Sequence, residues 1–365
     1  PERSLFEEGP AEDGEEKEVK RILDILTLNQ ETHTKPGIKY GEHCTPKLVA
    51  DFVAGIAHRH EPKSVLDPAC GYGLLLATAA AASKAQTIHG IEINTDIANK
   101  ASMIWCEALE LTKGEALSCL EEYVHEYDMV VCDSPLGYRL SESQMRALKA
   151  MPADRDFTSN LILSCLQRLA PEGIGVFVVA PSFLLDRQKK NFLPRLHDEG
   201  FRIKACIQVP SGSRHNTTIS TYLVVVQQGE QGQTLIGQLK DDPEHLRQLT
   251  NNLYRKKPKG DATLGRLCDF SDYRGFEGFV AKEQLERLAR ERNWAPHQGS
   301  DVIREYEVLR RRGVISSTGI IEDTSSVFLR LIGKPKASRQ SNDFSKISEV
   351  GHIKVNEDLV DPAFL

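Results

Sequence analysis

"KSVLDPACGYGLLLATAAAAS", residues 63–83, decides how the rest of the chain is read. Within it "KSVLDPA", residues 63–69, reads as a short apolar strand, and Asp67 to Gly73 as the polar, glycine-bearing end that joins it to a helix. Pro68, Gly71 and Gly73 then interrupt any regular element, since proline fixes φ and glycine admits conformations closed to other residues. The Leu- and Ala-rich stretch from Gly73 reads as a helix. A strand, a glycine turn and a helix in that order open a βαβ unit. Gly71 and Gly73 would let the backbone approach a ligand, and the helix N-terminus behind them offers free N–H groups.

The same alternation runs outward in both directions. "EVKRILDILTLNQ" has Val19, Ile22, Leu23, Ile25 and Leu26 at helical spacing. "TPKLVADFVAGIAHR" predicts a helix with Thr45 as N-cap and Pro46 at its first position. Downstream, the predicted strands "TIHGIEIN", "YDMVVCDS", "GIGVFVVAP" and "IKACIQVP" alternate with the predicted helices "DIANKASMIWCEALE", "SNLILSCLQRLA" and "KNFLPRLHDEG". Such alternation argues for an α/β fold, a doubly wound and mostly parallel sheet covered on both faces. "STYLVVVQQ" breaks the rhythm. Only "SGSRHNTTI" separates it from the preceding strand, too short for a crossover helix, so this last strand should be antiparallel.

Four regions follow: an acidic tail over 1–18, read as disordered; a principal domain with a helical lead-in over 19–240; a helix and polar linker over 241–261; and a smaller α+β accessory region over 262–365. In the last, Lys282–Arg292 and "DVIREYEVLRRRG" read as helices and "SSVFLRLIG" as a strand.

Composition narrows the function classes. Hydrophobic residues make up 40% and charged residues 27% of the 365, ordinary for a soluble globular protein. No run approaches a membrane span, and no leader is evident, so a cytoplasmic protein without a membrane partner is expected. The eight cysteines, Cys44, Cys70, Cys106, Cys119, Cys132, Cys165, Cys206 and Cys268, form no C-x-x-C pair. They read as buried reduced thiols, and no metal site is expected. The formal charge of −6 is accounted for by residues 1–18, so the remainder is neutral. Basic runs at Arg255–Lys259 and Arg310–Arg312 permit a nucleic-acid partner without requiring one.

Ligands of open α/β sheets bind at the carboxyl ends of the strands. Glu92, at the end of "GIEIN", lies 25 positions after Asp67, about where a carboxylate accepts both ribose hydroxyls of a nucleotide-like ligand. Neither a complete G-x-G-x-x-G nor a G-x-x-x-x-G-K-[ST] motif is present, so an adenosine without a phosphate chain suits these residues better. S-adenosyl-L-methionine has that description.

"GEHCTPKLVADFVAGI", "VLDPACGYGLLLATA", "IHGIEIN", "YDMVVCDSPLG" and "ACIQVPSGSRHNTTISTYLVVVQQ" occur in the order seen in amino-methylating DNA methyltransferases. Over about residues 38–228 the chain resembles the modification subunits of type I restriction-modification systems. The resemblance implies a class I S-adenosylmethionine-dependent methyltransferase fold with an antiparallel last strand. It implies cofactor contacts from Thr45, Asp67, Ala69, Cys70, Gly71, Gly73, Glu92, Ile93, Glu115 and Ala116. Thr45, Asp67, Ala69 and Gly71 would meet the methionine end, Glu92 the ribose, and Glu115 the adenine amino group, where the family usually has Asp. His43-Cys44 stand where the family tends to have aromatic residues.

The family's catalytic tetrapeptide, [N/D]-P-P-[F/Y/W], corresponds to Asp133-Ser134-Pro135-Leu136. Its first side chain and the next carbonyl accept hydrogen bonds from the target amino group, and its aromatic stacks on the flipped base. Asp133 and Pro135 match; Ser134 and Leu136 depart. Loss of a base stack costs about 1–3 kcal/mol, and Ser134 releases a φ that proline had fixed. Tyr138 is a candidate substitute ring. The expected activity is therefore adenine-N6 methylation of DNA, weakened at the base side, with DNA and separate specificity and nuclease subunits as partners. Two alternatives stand beside it: a catalytically impaired cofactor- and DNA-binding subunit, and an amino-methylating enzyme acting on protein glutamine or structural RNA. Within 262–365, "LGRLCDF" and "GHIKVNEDLVDPAFL" resemble part of a target-recognition domain.

Overall fold

The computed structural model describes residues 14–30, 45–148, 155–214 and 220–292, and the strands 303–310, 326–330, 337–338 and 349–355. His43, Cys44 and the acidic residues before Gly14 lie outside them. The chain forms two compact units, divided between Ala281 and Lys282.

Helix α1 (Gly14–Gln30) buries Val19, Ile22 and Leu26, the stripe its spacing predicts. In α2 (Lys47–His60) the start falls one residue later than expected. Pro46 has ψ 142°, outside the helical region, and its carbonyl accepts from the amides of Val49 and Ala50. Pro46 is thus the N-cap rather than the first helical residue, and Thr45 lies one position outside.

From there the elements alternate: β1 (Ser64–Asp67), α3 (Leu74–Ser83), β2 (Thr87–Glu92), α4 (Thr95–Trp105), β3 (Glu110–Lys113), α5 (Ala116–Glu122), β4 (Tyr127–Asp133), α6 (Glu142–Ala147), α7 (Phe157–Leu166), β5 (Leu169–Val179), α8 (Asp186–Asp198) and β6 (Phe201–Val209). The unit is completed by β7 (Thr221–Gln228), β8 (Thr234–Gln238), α9 (Pro243–Asn252), β9 (Arg266–Cys268) and the start of α10 (Phe276–Glu291). Strand β3 was not anticipated: the predicted helix ran through Glu110, but α4 stops at Trp105 where Cys106 takes φ 51°. The strand is short, at one edge of the sheet and only half-buried, so it has no apolar run to announce it.

The nine strands lie in the order β3-β2-β1-β4-β5-β7-β6-β8-β9. Strands β1 to β5 are parallel to one another, and β7 is antiparallel to both β5 and β6, as the short connection demands. It is inserted between them rather than closing the sheet. Beyond β6 the sheet gains β8, parallel, and β9, antiparallel, in a region where the sequence pattern fades. Side chains alternate between two buried faces. Val65, Met129, Val131, Val176 and Val178 pack with α1, α2 and α3. Leu66, Val130, Cys132, Phe177 and Val179 pack with α5, α7 and α8. A sheet covered on both sides needs apolar residues at every strand position, which is why these strands read as continuous apolar runs.

The second unit contains a four-stranded antiparallel sheet in the order β10 (Ile303–Arg310), β13 (Glu349–Val355), β11 (Ser326–Arg330), β12 (Ala337–Ser338). Helix was expected for "DVIREYEVLRRRG"; within it Ile303–Arg310 form strand β10, paired antiparallel with β13 with one register shift between Ile303 and Glu305. Pairing with a distant partner outweighs the local preference of its Arg and Glu residues for helix. Val327, Ile353 and Val355 form the core of this sheet, and His352 stacks on Phe328 at 4.7 Å.

Candidate active site

The strand order reverses between β1 and β4, because β1 is followed by β2 on one side and flanked by β4 on the other. A crevice opens at such a switch point beyond the carboxyl ends of the strands. Asp67 ends β1, Glu92 ends β2 and Asp133 ends β4, so three carboxylates share this edge.

The glycine turn is tied to β2 at several points. The Cys70 amide donates to the Ile91 carbonyl at 2.9 Å, and the Gly71 amide to Glu92 Oε2 at 2.9 Å. Glu92 Oε1 accepts from the Asn94 amide at 2.7 Å, and Asn94 in turn caps α4 by accepting from Asp96 and Ile97. Two backbone amides thus orient the Glu92 carboxylate at the end of β2. Ile93, the next residue, is 45% exposed, an apolar surface beside that carboxylate.

Gly71 and Gly73 both have positive φ, 56° and 90°. A side chain on Gly71 would meet nothing within 4 Å, so the turn leaves open space beside the Glu92 carboxylate. At Gly73, the N-cap of α3, a Cβ would lie 2.7 Å from Trp105 Nε1. That indole donates to the Tyr72 carbonyl at 2.9 Å and locks the turn from behind.

Asp67 is buried, and Oδ1 accepts from the Ala69 amide at 3.0 Å. Burial pushes its pKa up to about 8, with the Asp133 and Glu92 carboxylates adding to the rise and the Ala69 amide opposing it. Ala69 is half-buried, while Cys70 and Ala116 are buried. Glu115 accepts from the amide and hydroxyl of Ser118 through Oε2, both at 2.9 Å, and so caps α5.

At the end of β4 the chain turns through Asp133-Ser134-Pro135-Leu136. The Ser134 hydroxyl donates to the Val178 carbonyl at 2.6 Å, pinning the corner to β5, and Ser134 is 2% exposed. Pro135 and Leu136 are half-buried. Tyr138 packs edge-on against Phe157 at 5.4 Å, and its hydroxyl accepts from Gln144 Nε2. The sequence had not singled out Arg214, in the loop after β6. Its Nη2 donates to Asp133 Oδ1 at 2.5 Å across 81 residues of chain, and it is 5% exposed. One charged residue in a loop of small polar residues was the only signal available.

Among the described residues no helix is long and apolar enough to cross a membrane, and no group of His, Cys, Asp or Glu is arranged to hold a metal ion.

Comparison with known proteins agrees with this fold. The chain is 26% identical over 123 residues to the tRNA1(Val) (adenine(37)-N6)-methyltransferase of Yersinia enterocolitica, a match spanning 32% of this chain and 49% of that protein. In fold it is similar to the type I restriction-modification methyltransferase subunit of Streptococcus thermophilus, with TM-score 0.54 and 20% identity, over 70% of this chain and 60% of that one. It is similar also to a class I S-adenosylmethionine-dependent methyltransferase of Listeria monocytogenes, with TM-score 0.53 and 17% identity, over 65% and 80% of the two chains. The chain therefore spans about half the length of the curated relative it matches. The family model for N-6 DNA methylases matches residues 26–260, which hold the glycine turn, the three strand-end carboxylates and Arg214, and the chain belongs to that family.

Proposed function

We propose that this protein transfers a methyl group from S-adenosylmethionine to the N6 amino group of adenine in DNA. The observation that carries the reading is the meeting of Asp67, the open Gly71 turn, Glu92 and Asp133 at one switch point. S-adenosylmethionine is the cofactor of this class, and the residues present fit it. Glu92 stands at the strand end where the ribose hydroxyls are expected, Ile93 offers an apolar face to the adenine, and the space beside Gly71 admits the chain between them. In the same reading Thr45, Asp67, Ala69, Cys70 and Gly73 surround the methionine end, and Glu115 and Ala116 lie on the adenine side. When bound, the cofactor supplies an electrophilic methyl on a positively charged sulfur.

The chain's own residues then act on the target. Asp133 and the Ser134 carbonyl accept hydrogen bonds from the amino group and draw the nitrogen lone pair out of conjugation with the ring. Pro135 fixes the turn that presents them. Leu136 offers contact area but no π face, and Tyr138 is engaged by Phe157 and Gln144. Base binding is therefore weaker than an aromatic platform would give, by about 1–3 kcal/mol. We infer further that this chain works with separate specificity and nuclease subunits, and that residues 262–365, where "LGRLCDF" and "GHIKVNEDLVDPAFL" carry the resemblance, contribute to target recognition.

The test is transfer of a labelled methyl group to adenine-containing duplex, with product analysis for N6-methyladenine. Labelled N6-methyladenine is the expected product. Cofactor binding without transfer to any nucleic acid would favour the reading of a non-methylating binding subunit, for which Leu136 and the Asp133–Arg214 ion pair speak. Transfer to a glutamine peptide or to RNA in preference to DNA would overturn the proposal.

A further inference from the structure

Among the described residues, the corner at the end of β4 holds buried hydrogen-bonding atoms without partners. Arg214 Nη2 donates to Asp133 Oδ1 at 2.5 Å, with 2% and 8% of the two side chains exposed. Asp133 Oδ2, Arg214 Nε and Arg214 Nη1 are also buried, and none of the three has a partner among the described residues. A buried ion pair is favourable only when its remaining lone pairs and protons are satisfied too. A half-satisfied buried network is worse than an apolar one, so three unused atoms at a strand end call for a reason. Together they form one acceptor beside two donors, on a pair whose net charge is zero.

We propose that Arg214 is a second substrate-recognition residue: the Asp133–Arg214 pair reads the edge of the target base. Asp133 Oδ2 accepts from the exocyclic amino group, and an Arg214 N–H donates to the neighbouring ring nitrogen. The inference rests on the proposed function and names what that site selects. Adenine presents its N6 amino group between two acceptors, N1 and N7, and so matches the pair from either side. Guanine and thymine place a carbonyl oxygen where the amino group would be, which sets acceptor against acceptor at Asp133. Cytosine offers the same amino and ring-nitrogen pattern, so the pair selects bases whose amino group stands where guanine O6 and thymine O4 would otherwise lie. By holding Oδ1, Arg214 also fixes the carboxylate so that Oδ2 is the oxygen left for the substrate. The hydrogen bond from Arg214 replaces part of the affinity that Leu136 cannot supply by stacking.

Equilibrium binding reads this without requiring turnover. The full chain, with S-adenosylhomocysteine present, is titrated with hairpin DNA carrying one unpaired adenine, 1-deazaadenine, 7-deazaadenine, cytosine or thymine. Wild type should bind adenine and cytosine above thymine, and lose roughly tenfold or more against one of the two deaza bases. Arg214→Met should abolish that deaza penalty. Because it leaves Asp133 buried without its cation, the same series is run on Asp133→Asn/Arg214→Met, which removes both charges and keeps an acceptor for the amino group. The double variant should bind adenine and show no deaza penalty. Equal binding of adenine and both deaza bases by wild type would overturn the proposal. So would a penalty that persists in the variants, or tighter adenine binding by Arg214→Met, which would make Arg214 an obstruction. A protein that shows the deaza pattern yet transfers no methyl would refute the proposed reaction while leaving this inference standing.

Discussion

Two glycines of one turn, Gly71 and Gly73, should respond to the same substitution in opposite ways. Gly71→Ala places a methyl group in open space at φ 56°, so folding loses only the penalty for a left-handed alanine, about 1–2 kcal/mol. Gly73→Ala carries that penalty at φ 90° and also drives a Cβ to 2.7 Å from Trp105 Nε1 and 2.9 Å from Cε2 and Cζ2. Trp105 is fully buried and its indole is hydrogen-bonded to the Tyr72 carbonyl, so it has little room to yield. Overpacking of this kind adds about 1–3 kcal/mol. The total for Gly73→Ala is then about 2–5 kcal/mol, a fall in Tm on the order of 10 °C for a unit of this size. For cofactor binding the ranking reverses. The methyl at Gly71 intrudes where S-adenosylmethionine is expected to lie beside Glu92, and its affinity should fall by roughly tenfold or more, equivalent to about 1.4 kcal/mol. Thermal unfolding of both variants, followed by calorimetric titration with S-adenosylmethionine, separates the two effects. Undiminished binding by Gly71→Ala would refute the placement of the cofactor. A Gly73→Ala protein as stable as Gly71→Ala would refute the packing argument.

Glu92→Gln replaces one of two oxygens that accept from the Gly71 and Asn94 amides with an N–H donor. Titration should show cofactor affinity reduced by roughly 10- to 100-fold, as expected for a charged acceptor lost at a buried site. Leu136→Phe supplies the missing stacking surface; base binding or methyl transfer should rise severalfold in the labelled-methyl assay, and a clear fall would mean that Leu136 already fits its target. Asp67 gives a pH dependence of stability. Its folded pKa of about 8 lies above the unfolded value of 3.8, so the native state holds the extra proton between them. The stability this contributes is complete below about pH 4 and is lost as pH rises toward 8. Asp67→Asn has no such titration. Chemical denaturation should therefore show wild type losing stability relative to the variant by on the order of a few kcal/mol across that window, and a constant difference would refute the assignment.

Much of this molecule is written locally. The buried strands announce themselves because a sheet covered on both faces requires apolar residues at every position, and the glycine turn because φ values near 56° and 90° exclude most side chains. Asp67 and Glu92 were legible as strand-end carboxylates at a telling separation, and β7 as antiparallel from the length of the segment before it. Strands β3 and β10 were not, because each owes its conformation to a partner elsewhere: β2 for the first, β13 for the second. The Thr45 cap failed over a single backbone angle at Pro46. The corner at Asp133 shows the division most clearly. Its residue types name an acceptor for an amino group, and Leu136 names a missing ring. That Asp133 is paired, buried and joined by Arg214 could come only from the folded chain. Residues 81 positions apart carry no mutual signal in one sequence, and they meet because the loop after β6 returns to the edge where β4 ends. Local sterics and hydrophobic pattern are properties of a few neighbouring residues, whereas the charge state and selectivity of a site are sums over everything that tertiary packing brings within a few ångströms of it.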